Sequence, residues 1–396
     1  MNPPAPAVFR RVRWSDTRVA RWLDQGSRII VRNIIRSPAR SLLTMAGVAA
    51  SIGLLILAIQ WNDSLDYLAE SYFFHAQHQD ATIGLAEPQS SSIVRDFEHL
   101  PGVMAVEPMR IVGADLSVGP IKHRGSLTGL RGDAWLQPIF DDATSRVVPV
   151  PASGLVLGTV LADKLGVSIG DEVWLEVLEG RRPELALPVV GLVETYIAMP
   201  AFIHLDALNR MLKERPSAEY VSVLIDRREQ ASFYAELKEL PLVSAVMLRE
   251  AAIDSFYSTL VEHLMVFITL FSVLACALGF GVAYNSARIA LSERGRELAT
   301  LRVLGFSRGE ISYILLGEIG ILIALSLPLG CLLGRGRAEI MSSAFNSELF
   351  RIPLSIEPST YGLSVVVALG ATVMSALVVR HRLDHLDLIE VLKTRE

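Results

Sequence analysis

The chain has 396 residues, 51% of them hydrophobic and 20% charged, with a formal net charge of −5. A mean hydropathy of +0.40 is high for a soluble protein, so apolar and charged residues must be segregated along the chain. The two cysteines, Cys276 and Cys331, both fall in apolar runs, which excludes a disulfide framework or a CxxC metal site, and the charge balance calls for no nucleic-acid partner.

The first forty residues carry nine Arg and no early apolar core, so they are not expected to be a cleavable signal peptide. Over Trp14 to Ile35 the pattern predicts an amphipathic helix lying on the inner leaflet. Arg28, Arg32 and Arg36 recur every four residues, and Trp22, Leu23, Ile30 and Ile34 supply apolar contacts. Ser37-Pro38 reads as an N-cap followed by Pro at the first helical position.

Four apolar runs follow. Ser41–Trp61, Leu264–Ala287 and Ser359–Val379 are uncharged, and Ile311–Gly334 is apolar except for Glu318. Each approaches the ~20 residues that cross about 30 Å of hydrocarbon. Four such runs predict an α-helical membrane protein with four transmembrane helices. The Arg-rich flanks before the first span and after the second place both on the cytoplasmic side. Residues 62–263 are then extracytoplasmic; they hold twenty-nine Asp and Glu against sixteen Lys and Arg.

Helical spacing continues outward from the membrane. Leu65, Leu68, Ala69, Tyr72 and Ala76 share one face, and so do Phe256, Leu260, Leu264 and Phe267. A paired helical stalk is expected, with Asp254 as the N-cap of its second helix. "DFEHLPGVMAVEP" from Asp96 resembles "YAELKELPLVSAVML" from Tyr234. Each is an acidic helix end, then Leu-Pro, then a Val/Ala strand, so the two read as halves of one lobe separated by an insertion. "GLVLG", "VWLEVL" and "LPVVGLVETY" are strand candidates in that insertion, and "LADKLGVSIGDEV" reads as a short helix and a Gly turn. The expectation is a large, two-lobed extracytoplasmic α/β domain inserted between helices 1 and 2.

"SERGRELATLRVLGFSRGEI" runs from Ser292 to Ile311. Glu293 with Arg296, and Arg294 with Glu297, form i, i+3 pairs of opposite charge, and Leu291, Leu298 and Leu301 fall near one another. Gly305 suits the left-handed position after a helix, and Ser307 to Glu310 has capping-box form. The grammar is helix, stop, capped restart. It fits a rigid handle on the third span, and equally an interfacial helix with its charges in water. Glu318, two turns into that span, reads better as a buried hydrogen bond to a neighbouring helix or subunit than as a proton or substrate relay.

Other chemistry is sparse. No G-x-x-x-x-G-K-[ST] occurs, so any ATP is expected on a separate subunit, with no cofactor here. His75 and His78 read as stalk surface, and His381 and His385 as a solvated face. No catalytic residues and no metal ligands are expected, and the chain is not expected to be an enzyme.

The run from Glu293, followed by "LLGEIGILIALSLPLGCLLG", resembles the signature region of FtsX/MacB-type ABC transporter permeases. The family pattern falls on Glu293, Arg294, Glu297, Ala299, Leu301, Arg302, Gly305 and Glu318. "RNIIRSPARSLLTMAGVAAS" is similar to the family's entry to its first span, and "LDLIEVLKTRE" to its tail. The extended N-terminus is also similar to the second half of double-length permeases of this group. The resemblance implies a dimer, homodimeric or with a second permease, beside a cytoplasmic ABC ATPase. It makes Glu293, Arg294, Glu297, Leu298, Leu301, Arg302 and Gly305 the ATPase-coupling residues, with Ser307 and Glu310 capping the helix they lead into. It implies a permease subunit in the bacterial inner membrane, both termini cytoplasmic, that moves an extracytoplasmic domain to export or extract lipoprotein, peptide or drug-like cargo, with a periplasmic adaptor or lipoprotein as a further partner. The alternative it implies is a mechanotransmission regulator of an envelope hydrolase or an antimicrobial-sensing kinase.

The expected organisation is a cytoplasmic amphipathic arm (1–40), a first span (41–61), the stalk and MacB-like α/β domain (62–263), and a second span (264–287). A coupling helix (288–310), a third span (311–334), a short external loop (335–358), a fourth span (359–379) and a cytoplasmic tail (380–396) follow.

Overall fold

The computed structural model describes residues 25–305, 307–345 and 351–384. The chain divides into two compact units: Trp61–Val266 with Ile340–Ser355, and the remainder, Met1–Gln60, Phe267–Glu339 and Ile356–Glu396.

Four helices are long and apolar enough to cross a membrane. They are α2 (Pro38–Ala69, continued by a π-helical turn at Glu70–His75), α8 (Glu262–Val303), α9 (Arg308–Ala344) and α10 (Pro358–Asp384). A shorter helix, α1 (Gln25–Arg36), precedes them; the rest of the expected surface helix, from Trp14, lies outside the described residues. Ser37 does not act forward as an N-cap: its hydroxyl donates back to the Asn33 carbonyl at 3.2 Å, and the Ser37 carbonyl accepts from Ser41 N–H at 3.1 Å. Two elements differ from the expected division of the chain. α8 runs unbroken through Ala287 to Val303, so the charged segment continues the second span. α9 continues past Gly334 to Ala344, so the loop before α10 is shorter than 335–358.

Small residues set the packing of the helical unit. A Cβ on Gly330 would come within 2.6 Å of Ile52, and one on Gly334 within 2.8 Å of Ile56. This G-x-x-x-G pair lets the α9 backbone approach α2 closely. On another face of α2, Ser51 donates to the Ala275 carbonyl at 2.6 Å and Thr44 meets Ser286 at 2.7 Å.

The α/β unit is built from β1 (Ala81–Ser90), α3 (Ile93–Glu98), β2 (Val103–Val118), β3 (Ile121–Leu130), β4 (Ile139–Asp141), β5 (Arg146–Val148), β6 (Leu155–Gly158), α4 (Thr159–Leu165), β7 (Glu172–Val177), β8 (Glu184–Val193), β9 (Ala201–His204), α5 (Leu205–Leu212), β10 (Ser217–Ile225), α6 (Gln230–Lys238), β11 (Val243–Leu248) and α7 (Arg249–Phe256). Its first lobe is an antiparallel sheet in the order β11-β1-β10-β2. With α3 and α6 this is a β-α-β-β-α-β unit of the ferredoxin-like type. The two similar segments read from sequence are its two halves: α3 into β2, and α6 into β11. Phe97 and Phe233, from the corresponding helices, are buried together against Ile83, Val106 and Val223.

The insertion between β2 and β10 forms the second lobe. β2 pairs with β3, β3 with β9, β9 with β6, β6 with β8, β8 with β7, and β7 again with β2. The sheet therefore closes into a six-stranded barrel, which leaves no open edge in the ring. Its core is filled by Val112, Leu116, Leu127, Leu157, Val173 and Val189, with Leu161 and Leu165 of α4 packed against it. β2 serves both lobes: Val103–Met109 pair with β10 and Arg110–Val118 with β3.

The stalk helices meet through Phe73 and Phe256, whose rings lie 5.6 Å apart, edge to face. Asp254 is not the N-cap expected from sequence. α7 begins at Arg249, directly after β11, where the Arg249 N–H donates to Asp80 O at 3.0 Å and its guanidinium donates to the Phe73 and Gln77 carbonyls. That anchor fixes the helix start earlier than the acidic residue suggested.

Candidate functional site

Three sets of contacts stand out, two within the helical unit and one within the α/β unit. The first is the corner between α8 and α9. Glu293, Arg294, Glu297, Leu298, Leu301 and Arg302 fall in the last turns of α8; their side chains lie outside the described residues. Gly305 follows with φ +97°, a backbone angle that only glycine adopts without strain. The chain restarts at once. Ser307 N–H donates to Glu310 Oε2 at 2.7 Å, and Glu310 N–H donates to Ser307 Oγ at 3.3 Å. This reciprocal exchange satisfies two of the donors that a helix start leaves open. Just before the corner, Ala287, Ala290 and Leu291 of α8 pack against Leu315 and Ile319 of α9 and Val379 of α10. The corner is thus short, capped and seated on a core.

The second lies on α9, ten residues after the helix begins at Arg308. Glu318 is buried and pairs with the Arg40 guanidinium at 2.7 Å. Arg40 stands at the start of α2, so the carboxylate ties the third apolar helix to the first. Alongside it, Ile30 of α1 fills the space left at Gly317, where a Cβ would come within 2.6 Å of it, and the Ser27 and Tyr313 hydroxyls meet at 3.1 Å. α1 is therefore packed on α9 through Ile30, while Arg28, Arg32 and Arg36 are exposed.

The third set is in the α/β unit, where the segment between α9 and α10 clasps the stalk and the barrel. Arg351 pairs with Glu194 at 2.8 Å. The same guanidinium donates to the Thr195 carbonyl at 2.8 Å and lies over the Tyr196 ring, and the Arg351 N–H donates to Tyr196 O at 2.8 Å. Tyr196 packs edge to face on Tyr67 of the stalk. Ser64 donates to the Pro353 carbonyl at 2.8 Å, and Trp61 meets Phe345 with ring centroids 5.4 Å apart. Glu194 also accepts from Thr159 at 2.7 Å, and its backbone N–H donates to Asp141.

Beside the clasp, Ser71 of the stalk donates to Asp142. Burial, and then the nearby Asp141 and Glu194 charges, hold the Asp142 carboxyl above the usual carboxylate range against the opposing Ser71 hydrogen bond. Burial, with the neighbouring Tyr67 next, pushes the Tyr196 phenol up to about 12. His75 is exposed at the end of the stalk helix, and His78 is partly exposed just beyond it. The His75 ring stacks on Phe140 at 4.9 Å, and His78 Nδ1 lies 2.7 Å from the Trp135 carbonyl. His381 is exposed, and His385 lies outside the described residues. Among the described residues no group of three His, Cys, Asp or Glu side chains converges as a metal site.

The clasp was missed by sequence reasoning. Arg351 and Glu194 are single charges in two loops, and no spacing rule relates them. Glu318 was singled out, but its partner was not; the signal available was an Arg at the mouth of the first span, and that Arg had been assigned only to topology.

Residues 269–385, covering most of α8 and all of α9, match the family described as FtsX-like permease C-terminal. This part of the chain is an FtsX-like permease domain. It contains the α8–α9 corner, Gly305, the capping box and Glu318. Among solved structures, the chain is similar to the extracellular domain of the ABC-type transporter YknZ from Gram-positive bacteria, with 12% identity over 43% of this chain and 99% of that one, at a TM-score of 0.31. It is also similar to the periplasmic region of MacB from Actinobacillus actinomycetemcomitans, with 13% identity over 46% and 95%, at a TM-score of 0.33. No curated protein matches the sequence. The four apolar helices and the FtsX-like permease domain make this a membrane protein.

Proposed function

We propose that the chain is the permease subunit of an ABC transporter, and that it passes the motion of a cytoplasmic ATPase to its α/β domain in order to export or extract lipoprotein, peptide or drug-like cargo. The observation that carries this reading is the FtsX-like match over a segment whose centre is a helix, a glycine stop and a capped restart. In this reading the charged end of α8 docks in a cleft of the ATPase. The α8–α9 corner turns the push into movement of the third span, and Glu318–Arg40 carries it to the first span and so to the stalk. The chain does no chemistry of its own and holds no nucleotide. It works as a homodimer or beside a second permease, in the bacterial cytoplasmic membrane with both termini inside, and a periplasmic adaptor or lipoprotein meets the α/β domain.

The test is co-purification with the ATPase, together with ATP hydrolysis in lipid nanodiscs. Leu301→Asp is expected to abolish association, because a buried apolar contact becomes an unpaired charge. Gly305→Val is expected to leave association intact and uncouple hydrolysis from transport, because a β-branched residue resists a positive φ by at least ~1 kcal/mol. If Leu301→Asp co-purified normally and kept stimulated hydrolysis, the end of α8 would be an interfacial helix and the coupling role would move to the N-terminal arm or the tail.

A further inference from the structure

Every strand of the nine-stranded sheet except β11 has a neighbour on each side, because β7 closes the barrel on β2. β11 (Val243–Leu248) pairs with β1 alone and is the open edge of the sheet. Ala245 to Leu248 pair regularly with Gly84 to Ala81, and the Arg249 N–H, next in line, donates to Asp80 O at 3.0 Å. Backbone groups alternate sides along an antiparallel strand. The N–H and C=O of Val246 and of Leu248 therefore point away from β1, where no strand meets them among the described residues.

Native proteins ordinarily blunt such an edge with charge or proline. β11 reads Val-Ser-Ala-Val-Met-Leu and has neither. Met247 is 65% exposed. Val246 stands opposite Ile83 of the buried core and so on the same face of the sheet, yet it is 41% exposed. The charge lies at the two ends of the strand. Glu236 and Glu239 precede it, Glu250 and Asp254 follow it, and all four are exposed, with no ion pair among the described residues. Against them stand Lys238, which is exposed, and Arg249, whose guanidinium is engaged with the Phe73 and Gln77 carbonyls. A second copy of β11 is a poor cover for this edge. Paired antiparallel, it sets Glu239 against Glu250; paired parallel, it sets each acid beside its own copy, and like charges placed opposite one another destabilise a strand pair.

We propose that β11 is a docking edge for an extended segment of a different polypeptide, with apolar residues at alternate positions and Lys or Arg at its ends. The backbone of that segment takes up the free groups of Val246 and Leu248, its apolar side chains cover Val246, and its basic ends meet the acidic flanks. The inference needs only the fold of the α/β unit and is separate from the ATPase coupling proposed above.

The experiment is fluorescence anisotropy of the full chain in detergent with a labelled peptide, Lys-Thr-Val-Ser-Val-Thr-Val-Lys, blocked at both ends. Saturable binding is expected. Val246→Pro removes a backbone donor on the outer side, where an edge strand tolerates proline, and N-methylation of the central peptide amides removes the donors of the other partner. Each change is expected to weaken binding by at least about fivefold, the ratio that ~1 kcal/mol confers. Replacing both peptide lysines by glutamates is expected to weaken it as much. Absence of saturable binding to the wild type would overturn the proposal. Undiminished binding of the N-methylated or the Glu-ended peptide would overturn it too, as plain apolar adhesion. If the wild type bound no peptide and formed a dimer that Val246→Pro dissociated, a second copy would cover the edge and the proposal would fail. Should Val246→Pro not yield folded protein, the two altered peptides decide with the wild type alone.

Discussion

The Arg351 guanidinium meets Glu194 at 2.8 Å and lies over the ring of Tyr196, so the segment between the third and fourth apolar helices is fastened to the barrel lobe. Both side chains are less than a third exposed, so solvent screens the pair less than it would a surface ion pair. A double-mutant cycle on Arg351→Ala and Glu194→Gln should give a coupling energy of about 1–3 kcal/mol, read from unfolding of the full chain in detergent. Strict additivity of the two single variants would mean that the clasp is held by its backbone hydrogen bonds alone.

Glu318 and Arg40 form a pair of a different kind, between two apolar helices. Removing one partner takes a charge-assisted hydrogen bond from the other, which costs about 1.5–3 kcal/mol. Glu318→Gln and Arg40→Gln should each lower thermal stability sharply, whereas the double variant should recover much of the loss. A Glu318→Gln protein that melted like the wild type would show that the pair contributes nothing to helix packing.

Two glycines on α9 give opposite expectations. A Cβ at Gly334 would run into Ile56 at 2.8 Å, while one at Gly336 would meet nothing within 4 Å. Gly334→Val should therefore cost about 1–3 kcal/mol through overpacking. Gly336→Ala should be neutral or slightly stabilising through its helix propensity. The readout is the melting temperature of each variant in the same detergent.

The α/β unit carries two aspartates of opposite sign. Burial raises the folded-state value of Asp142. Its favourable contribution is therefore complete below the ordinary carboxylate value and is lost as pH rises through the raised one. Asp142→Asn should stabilise the protein at about pH 7, and the difference should vanish below about pH 4. Hydrogen bonds from Arg124 and then Lys122 hold Asp115 well below the usual range. Its contribution is present above the ordinary carboxylate value and lost as pH falls through the lowered one. Asp115→Asn should therefore destabilise at about pH 7 and converge with the wild type in strong acid. Melting curves across that range, in which both substitutions shifted stability in the same direction, would contradict the assignment.

Much of the architecture was legible because its signals are local. Uncharged runs near twenty residues announced the spans, and the Leu-Pro step after Glu98 and again after Glu239 marked the two halves of the first lobe. The Ser307–Glu310 spacing pointed to the hydrogen bonds found at the start of α9. Long-range pairings were not legible. Closure of the barrel depends on β3 meeting β9 and β6 meeting β8, parallel contacts between strands that are not neighbours in sequence. Arg351 finds Glu194 only once the barrel exists. The misreadings have a physical source as well. Asp254 and Ser37 have the chemistry of N-caps, but the Arg249 anchor starts α7 earlier, and the Ser37 hydroxyl is taken by the carbonyl of Asn33.

β2 passes without interruption from the edge of one sheet into the wall of a barrel, and Arg110 at the crossing is buried and bonded to Asn209, Glu214 and Ser217. Neither lobe can be excised without cutting into the other. Because β2 is shared, the two lobes are expected to unfold in one transition.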